Sequence, residues 1–259
     1  MNLHWKSRHA ARRGKILNLQ TWNKFLKLKK KFKRIVNELS ESMPQLRNVQ
    51  QKFADSRAEA SYIVETPVVF NTALDDITID DDIKLILTAD NPGKREQAAD
   101  NKRYLVGPSG KIARKFFIDN PSLGIDFLKN VIILNKTPIH SPRTVELRAI
   151  LNDDYKIYFE KSQTDMAILL LEFQDALECP VWITGYSEMR KNGLFEVYTD
   201  KLKKLYMERN HQYKNTFVFR HFSMNQFTID LKQQSLENET AAKTLKRIGS
   251  AYRKKIFGI

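Results

Sequence analysis

Short apolar runs with almost no polar interruption constrain the fold more than any other feature of this chain. The clearest are Val131-Ile132-Ile133-Leu134 and Phe217-Val218-Phe219. Such runs are typical of strands buried on both faces, as in a parallel sheet covered by helices. On this basis strands are predicted at residues 83–88, 130–134, 181–184 and 216–220. The pattern therefore predicts an α/β fold with a mainly parallel central sheet flanked by helices.

Segments with a helical spacing of apolar residues separate these runs and flank them. Between the strands, helices are predicted over residues 110–119, 142–151, 164–177 and 195–209. Two helices are predicted before the first strand, over residues 17–40 and 45–60, and a final basic helix over residues 240–257. We therefore divide the chain into a basic helical N-terminal extension, residues 1–61, and an α/β domain, residues 62–259.

The positive charge of the chain is unevenly distributed. Lys and Arg number 44 against 30 Asp and Glu, a formal net charge of +14. Residues 1–57 hold 15 of these cations and only three acids. A second basic cluster near the C-terminus consists of Lys243, Lys246, Arg247, Arg253, Lys254 and Lys255. Such clusters attract polyanions such as nucleic acids. Solvated helix faces in a lysine-rich chain would give the same composition.

The composition also bears on where the protein works. No apolar run reaches the length needed to cross a bilayer. The basic N-terminus lacks the apolar stretch of a secretory signal, so we expect a cytoplasmic location. The lone Cys179 rules out an internal disulfide and a Cys-rich metal or cluster site. A basic amphipathic helix could meet a membrane surface, but no lipid-anchor signal accompanies it, and we expect no membrane partner.

Polar side chains of chemical interest follow three of the predicted strands. They are Asp90 and Asn91, then Asn135, and then His221. In an open α/β sheet, ligands collect in the crevice outside the carboxyl ends of the strands. Each residue also has a simpler structural interpretation, since polar residues are common where strands end and turns begin. The spacing alone therefore predicts a polar crevice and no particular reaction.

The residues in these positions resemble the motifs of the uracil-DNA glycosylase superfamily. Its first motif, a strand followed by Gly-x-x-Pro-Gly, is similar to Ala89-Asp90-Asn91-Pro92-Gly93. In one branch of the family this motif is followed by a Glu and then by a Phe-Val-Gly-x-Ser-Gly turn. In this chain Glu96 and Leu105-Val106-Gly107-Pro108-Ser109-Gly110 are similar to them. The later motifs resemble the strand ending in Asn135 and the segment His221-Phe222-Ser223-Met224-Asn225. The resemblance covers roughly residues 80–230 in the family's motif order and implies its three-layer α/β/α sandwich.

The chain also departs from the family pattern. Ala89 stands where the first motif has Gly, and the prolines of the His-Pro-Ser-Pro motif are missing. The iron–sulfur cysteines of the most similar branch are absent as well. Leu105 aligns with the Phe that stacks on the flipped base, and the neighbouring Tyr104 could replace that Phe only if the turn shifts.

The resemblance implies a monofunctional DNA glycosylase that removes a flipped-out uracil or a related deaminated base in base excision repair. Asn135 would read the edge of the base, and His221 would stabilise the departing anion. Asn91, supported by Asp90, would orient the attacking water. The reaction needs no metal, nucleotide cofactor or covalent lysine intermediate, and the expected form is a monomer.

The resemblance also implies contacts to DNA, either single- or double-stranded. Ser109, Lys111, Ser223 and Asn225 would contact the strand, with the serines on phosphates. Phe222, Met224 or Asn225 would fill the gap left by the extruded base.

Three other functions remain open from the sequence. The chain could be a nucleic-acid-binding protein that keeps the fold without the chemistry, since fold does not fix function. It could also be a glycosylase for hypoxanthine rather than uracil. A nucleotide site at the Gly107–Gly110 turn is the weakest of the three, because the turn lacks the full glycine-rich pattern.

Overall fold

The computed structural model describes residues 17–56, 61–151 and 153–259. Its centre is a four-stranded, all-parallel sheet with strand order β2-β1-β3-β4. The strands are β1 Leu85–Ala89, β2 Val131–Asn135, β3 Val181–Thr184 and β4 Thr216–Phe219. Each lies within two residues of its predicted bounds, because a buried apolar run ends where polar turn residues begin. The predicted parallel sheet is confirmed.

Helices cover the sheet in the arrangement expected of a three-layer α/β/α fold. Their bounds are α1 Leu19–Ser42, α2 Leu46–Asp55, α3 Pro108–Asp119, α4 Leu147–Ile150, α5 Asp153–Leu177, α6 Glu196–Met207, α7 Asn210–Lys214, α8 Gln226–Gln234 and α9 Ala241–Phe257. The helix predicted over 142–151 was too long, since a 3-10 turn at Thr144–Glu146 precedes the short α4. The helix predicted over 164–177 begins earlier, at Asp153, because no Gly or Pro interrupts the intervening residues.

Aromatic side chains fix α3 against the sheet, and a glycine fixes α9. The rings of Phe116 and Phe117 in α3 lie 6.4 and 5.5 Å from the Trp182 ring of β3. Gly249 of α9 sits against β4, where a Cβ would lie 2.7 Å from the Cβ of Phe217. The sequence therefore places small and flat groups where helix and sheet approach most closely.

The described part of the N-terminal region shares this core. On α1, Phe25 and Phe32 are fully buried, and the Phe25 ring lies 5.9 Å from Phe173 of α5. On the outer side, Lys31 pairs with Glu172 at 2.6 Å. Residues 1–16 and 57–60, which belong to the predicted basic extension, lie outside the described residues. None of the helices described is long and apolar enough to cross a membrane.

Candidate active site

The carboxyl ends of the four parallel strands bring the predicted site residues to one edge of the sheet. Ala89 pairs with Asn135 in the register of β1 and β2. Asp90 and Lys136 therefore follow side by side, and the Lys136 backbone N–H donates to the carbonyls of Ala89 and Asp90 at 3.0 and 3.1 Å. His221 lies two residues after the end of β4. Its imidazole interacts electrostatically with Asp90 and Lys136.

A buried ion pair joins the first two strands. The ammonium group of Lys136 donates to Asp90 Oδ1 and to the backbone carbonyl of Thr184 at the end of β3. Its Nζ also lies 5.0 Å from the centre of the Phe195 ring. Burial lowers the pKa of Lys136, while the carboxylates of Asp90 and Glu188 oppose that shift. The Lys136 side chain thus contacts one of the two carboxylate oxygens of Asp90.

No role was assigned to Lys136 from the sequence, although its position after a buried strand was informative. It is a charged residue directly after a strand buried among apolar neighbours, and it is fully buried itself. A lysine in that position needs a carboxylate partner, because an unpaired buried charge is very unfavourable. Which carboxylate pairs with it depends on the strand order, and the sequence does not show that order.

Gly185 makes room for this pair at the end of β3. Its φ of 89° lies in the left-handed region that favours glycine. A Cβ at this position would overlap Asp90 Oδ1 and would lie 2.9 Å from Lys136 Nζ. The end of β3 was also missed by sequence reasoning, since Gly185 carries no functional side chain.

The hydrogen bonding of His221 defines which ring nitrogen carries the proton. Its Nδ1 accepts from the backbone N–H of Ser223 at 3.0 Å. The neutral ring therefore carries its hydrogen on Nε2. Burial lowers the pKa of His221; Asp90 opposes that shift and Lys136 adds to it. The half-buried imidazole is accordingly a neutral N–H donor at neutral pH.

Asn135 is the most unusual polar group of the site. Its side chain is only 1% exposed. Neither its amide nitrogen nor its amide oxygen has a hydrogen-bond partner among the residues that the structure describes. A buried polar group left in this state costs about 1–3 kcal/mol, and native proteins rarely leave such groups unpaired. The amide is therefore an unpaired buried group, and one acceptor together with one donor would satisfy it.

Asn91 has a different environment from its neighbour Asp90. Its Nδ2 donates to the carbonyl of Ser141 at 2.9 Å, and its Oδ1 accepts from the Thr144 hydroxyl at 2.9 Å. These bonds tie the turn after β1 to the segment that follows β2. The structure thus uses the Asn91 amide to brace a loop, whereas Asp90 faces Lys136.

His140 supports the same turn from the other side. Its Nδ1 contacts the Pro92 carbonyl at 2.9 Å, and its Nε2 contacts the Tyr62 hydroxyl at 2.9 Å. Because a carbonyl can only accept, Nδ1 carries the hydrogen and Nε2 accepts from Tyr62. Burial lowers the pKa of His140 to about 4, so the ring is neutral at pH 7.

Glu96 connects two turns of the site. Its carboxylate accepts from the backbone N–H groups of Gly93, Leu105, Val106 and Gly107. Burial raises its pKa to about 7 despite these hydrogen bonds. The sequence matched Glu96 to a family motif without assigning it a task, and the contacts identify it as the link between the turn after β1 and the start of α3.

The two residues proposed to stack on the base are both buried. Tyr104 is 2% exposed, donates from its hydroxyl to the Val69 carbonyl at 2.5 Å, and packs its ring 6.4 Å from Phe32. Stacking by Tyr104 would therefore require its ring to leave the core. Leu105 is also buried and has a φ of 52°. Its carbonyl lies where a Cβ on Gly110 would be, which explains the glycine there.

The predicted DNA-contacting residues form two neighbouring groups at the surface. Ser109 and Lys111 lie in the first turn of α3, which contacts the 3-10 turn Ser223–Asn225. Met224 in that turn is 83% exposed and has a φ of 51°. In contrast, Phe222 is fully buried and stacks on Phe227 at 4.3 Å. Phe222 was one of three residues predicted to fill the gap left by the extruded base, and the structure shows it to be a core residue.

The site therefore offers a free carboxamide, a neutral N–H donor and a paired carboxylate at one edge of the sheet. Among the described residues, no three His, Cys, Asp or Glu side chains are grouped so that they could hold a metal ion. An assignment of function consequently rests on the chemistry of these side chains. Comparisons with protein-family models, with curated proteins and with solved structures gave no match.

Proposed function

We propose that the protein is a monofunctional DNA glycosylase that hydrolyses the N-glycosidic bond of a flipped-out uracil or a related deaminated base. The observation that carries the proposal is the buried Asn135 carboxamide without a hydrogen-bond partner. The bond to be broken lies inside the stacked duplex, so the enzyme must extrude the nucleotide at a cost of about a few kcal/mol. The product is an abasic site.

The Asn135 amide has the donor and acceptor that recognition of uracil requires. Its NH₂ donates to O4 of the base, and its oxygen accepts from N3–H. Cytosine offers the opposite pattern, so its binding would leave buried groups mispaired. Discrimination based on mispaired buried groups is strong, because each such group costs about 1–3 kcal/mol.

His221 and Lys136 act on the departing base. As the bond breaks, negative charge builds on the pyrimidine, and His221 Nε2–H donates to O2. A positioned donor of this kind contributes about 3–4 kcal/mol to the transition state. The neighbouring Lys136 adds a positive charge to the same region.

Asp90 acts on the sugar and on water. Lys136 binds Asp90 Oδ1, which leaves Oδ2 for a second contact. Oδ2 then orients the attacking water, and the negative charge stabilises the cation-like sugar. The resemblance to the family favours Asn91 for this task, but Asn91 already braces the loop with both ends of its amide. We therefore assign the water to Asp90.

The DNA strand is held at the junction of α3 and the Ser223–Asn225 turn. Ser109 and Lys111 at the N-terminus of α3, with Ser223 and Asn225, contact phosphates, which position the strand without reading its sequence. The exposed Met224 enters the gap left by the extruded nucleotide.

Single-turnover excision by purified variants tests these roles. We expect Asp90→Ala and His221→Ala each to slow uracil excision by about 10²–10³-fold. Asn91→Ala, the matched control, should lose much less activity, because its amide acts on the loop. Wild-type rates in both Asp90→Ala and Asn91→Ala would remove the turn after β1 from the mechanism. Unchanged preference for uracil over cytosine in Asn135→Asp would remove Asn135 from base reading.

A second candidate function is a nucleic-acid-binding protein without catalysis. The buried pair of Lys136 and Asp90 favours this second candidate, because the lysine neutralises the Asp90 carboxylate and binds one of its oxygens. Labelled oligonucleotides containing uracil, hypoxanthine or normal bases, scored for abasic sites, separate the candidates. Excision of uracil supports the main proposal. Selective excision of hypoxanthine would identify hypoxanthine as the substrate base. Salt-sensitive binding without excision supports the second candidate.

A further inference from the structure

Three cations from separate elements interact with a pair of neighbouring tyrosines, Tyr186 and Tyr252. Arg190 lies in the loop after β3, Arg220 directly follows β4, and Lys255 belongs to α9; all three are exposed. We call these residues the rim cations. Arg220 is the residue before His221 in the chain, and Tyr186 follows Gly185, so two elements connect this cluster to the edge of the site.

Two tyrosines in contact with each other lie beneath two of the rim cations. The rings of Tyr186 and Tyr252 lie 4.6 Å apart with an angle of 31° between them. The Arg190 guanidinium carbon lies 5.8 Å from the centre of the Tyr186 ring, and Lys255 Nζ lies 5.6 Å from that of Tyr252. A cation placed over an aromatic face is attracted to it. Both side chains are thereby partly ordered before any ligand arrives.

Arg220 is anchored to a carboxylate and keeps half of its side chain exposed. Its Nε lies 3.4 Å from Asp230 Oδ1, and its Nη1 donates to Gln226 at 3.3 Å. Asp230 also accepts from the Tyr252 hydroxyl at 2.9 Å. Three cations and one carboxylate leave this cluster with a net charge of +2, which suits an anionic partner.

We propose that the rim cations bind the phosphates of the DNA strand that flanks the extruded nucleotide. The choice of DNA as the ligand rests on the proposed function. Contacts to phosphate fix the position of a strand, and each one releases counterions, so the affinity depends on salt. Ordering by the tyrosines lowers the side-chain entropy lost on binding.

The chain supplies a matched control for this proposal. Lys243, Lys246 and Lys254 lie on another face of α9 and line a separate shallow surface with Ser250. They carry the same charge as the rim cations and, like Lys255, belong to α9, but the cations placed over the tyrosine rings are Arg190 and Lys255. Arg220 is left unchanged in the test because it adjoins His221.

The test compares Arg190→Gln/Lys255→Gln with Lys243→Gln/Lys246→Gln in the full chain. The readout is the dependence of log Kd on log salt for a fluorescent single-stranded oligonucleotide that contains uracil. Two lost phosphate contacts should reduce the slope by about 1.4 for the rim variant, and the control should change by less than half as much. Thermal unfolding of both variants verifies that the fold is retained.

Two results overturn the inference: equal slope reductions in both variants, which reveal an effect of net charge alone, or no reduction in the rim variant. Because binding is measured without excision, the two proposals fail separately. A rim effect in a protein that excises no base would support the inference and reject the glycosylase. If the wild-type protein excises uracil and the rim variant keeps the wild-type salt slope, the glycosylase is supported and the inference is rejected.

Discussion

The two ends of the central sheet treat buried polar groups in opposite ways. At the amino end, Arg253 Nη1 donates to the carbonyls of Tyr213, Lys214 and Thr216 at 2.9, 2.9 and 3.0 Å. The Thr216 hydroxyl contacts the hydroxyl of Tyr206 at 3.0 Å. These groups satisfy one another across four elements, although Arg253 Nε has no partner among the described residues. This end serves the stability of the fold.

At the carboxyl end, a whole amide is left without partners and a charged pair is buried. Asn135 has neither its donor nor its acceptor satisfied within the described residues. Lys136 and Asp90 bury opposite charges beside it. A chain gains no stability from an empty amide, and this supports the proposal that a ligand binds at this end. Arg253, which the sequence grouped with a basic surface cluster, is instead an internal residue of the amino end.

The largest effect is expected from Lys136→Met. The change leaves the buried Asp90 carboxylate without its cation, and breaking such a pair costs about 3–5 kcal/mol. Arg253→Met at the amino end should cost less, because Arg253 Nη1 donates to neutral carbonyls. Urea unfolding measures both free energies. In an Asp90→Asn background the cost of Lys136→Met should shrink; an undiminished cost would mean that the pairing does not matter.

Glu96→Gln tests a titratable link at the carboxyl end. Burial raises the pKa of Glu96 in the folded protein from its ordinary value of 4.5 to about 7. Between these values the folded state holds a proton that the unfolded state has released, so stability falls as pH rises. The difference between the two pKa values corresponds to about 3 kcal/mol of unfolding free energy. The difference in unfolding free energy between wild type and variant should fall by that amount from below pH 4.5 to above pH 7.

His140 titrates in an overlapping range, because burial lowers its pKa from 6.5 to about 4. Its contribution has the opposite sign and is lost as the pH falls. Since both proteins retain His140, it cancels in their difference. A pH-independent difference would show that Glu96 is already ionised throughout this range.

The smallest effect is expected from Asn135→Leu, and its sign is the informative part. Leucine has a similar shape and removes the unpaired amide, so stability should be unchanged or rise by about 1–3 kcal/mol. At the amino end, Thr216→Val should destabilise the protein by about 1 kcal/mol, because it breaks satisfied hydrogen bonds. Thermal and urea unfolding measure both variants. Equal losses of stability would erase the contrast between the two ends.

The comparison also explains how far sequence reasoning could reach. The strands were predicted well, because uninterrupted apolar runs such as Phe217-Val218-Phe219 leave few alternatives. Helix ends were less certain, and α5 begins 11 residues before its predicted start at 164. Tyr104 was proposed near the base, yet its position in the core depends on packing against Phe32. No local pattern distinguishes a buried tyrosine from one that faces a crevice.

The sequence by itself determined the parallel sheet and the identity of the polar residues that end its strands, because burial and turn formation are local properties of the chain. The tertiary structure alone decided which of those residues meet. Lys136 and Asp90 are separated by 46 positions in the chain and become partners only through the register of β1 with β2. Whether a polar side chain is paired, as Asn91 is, or left open, as Asn135 is, depends on neighbours brought from distant segments.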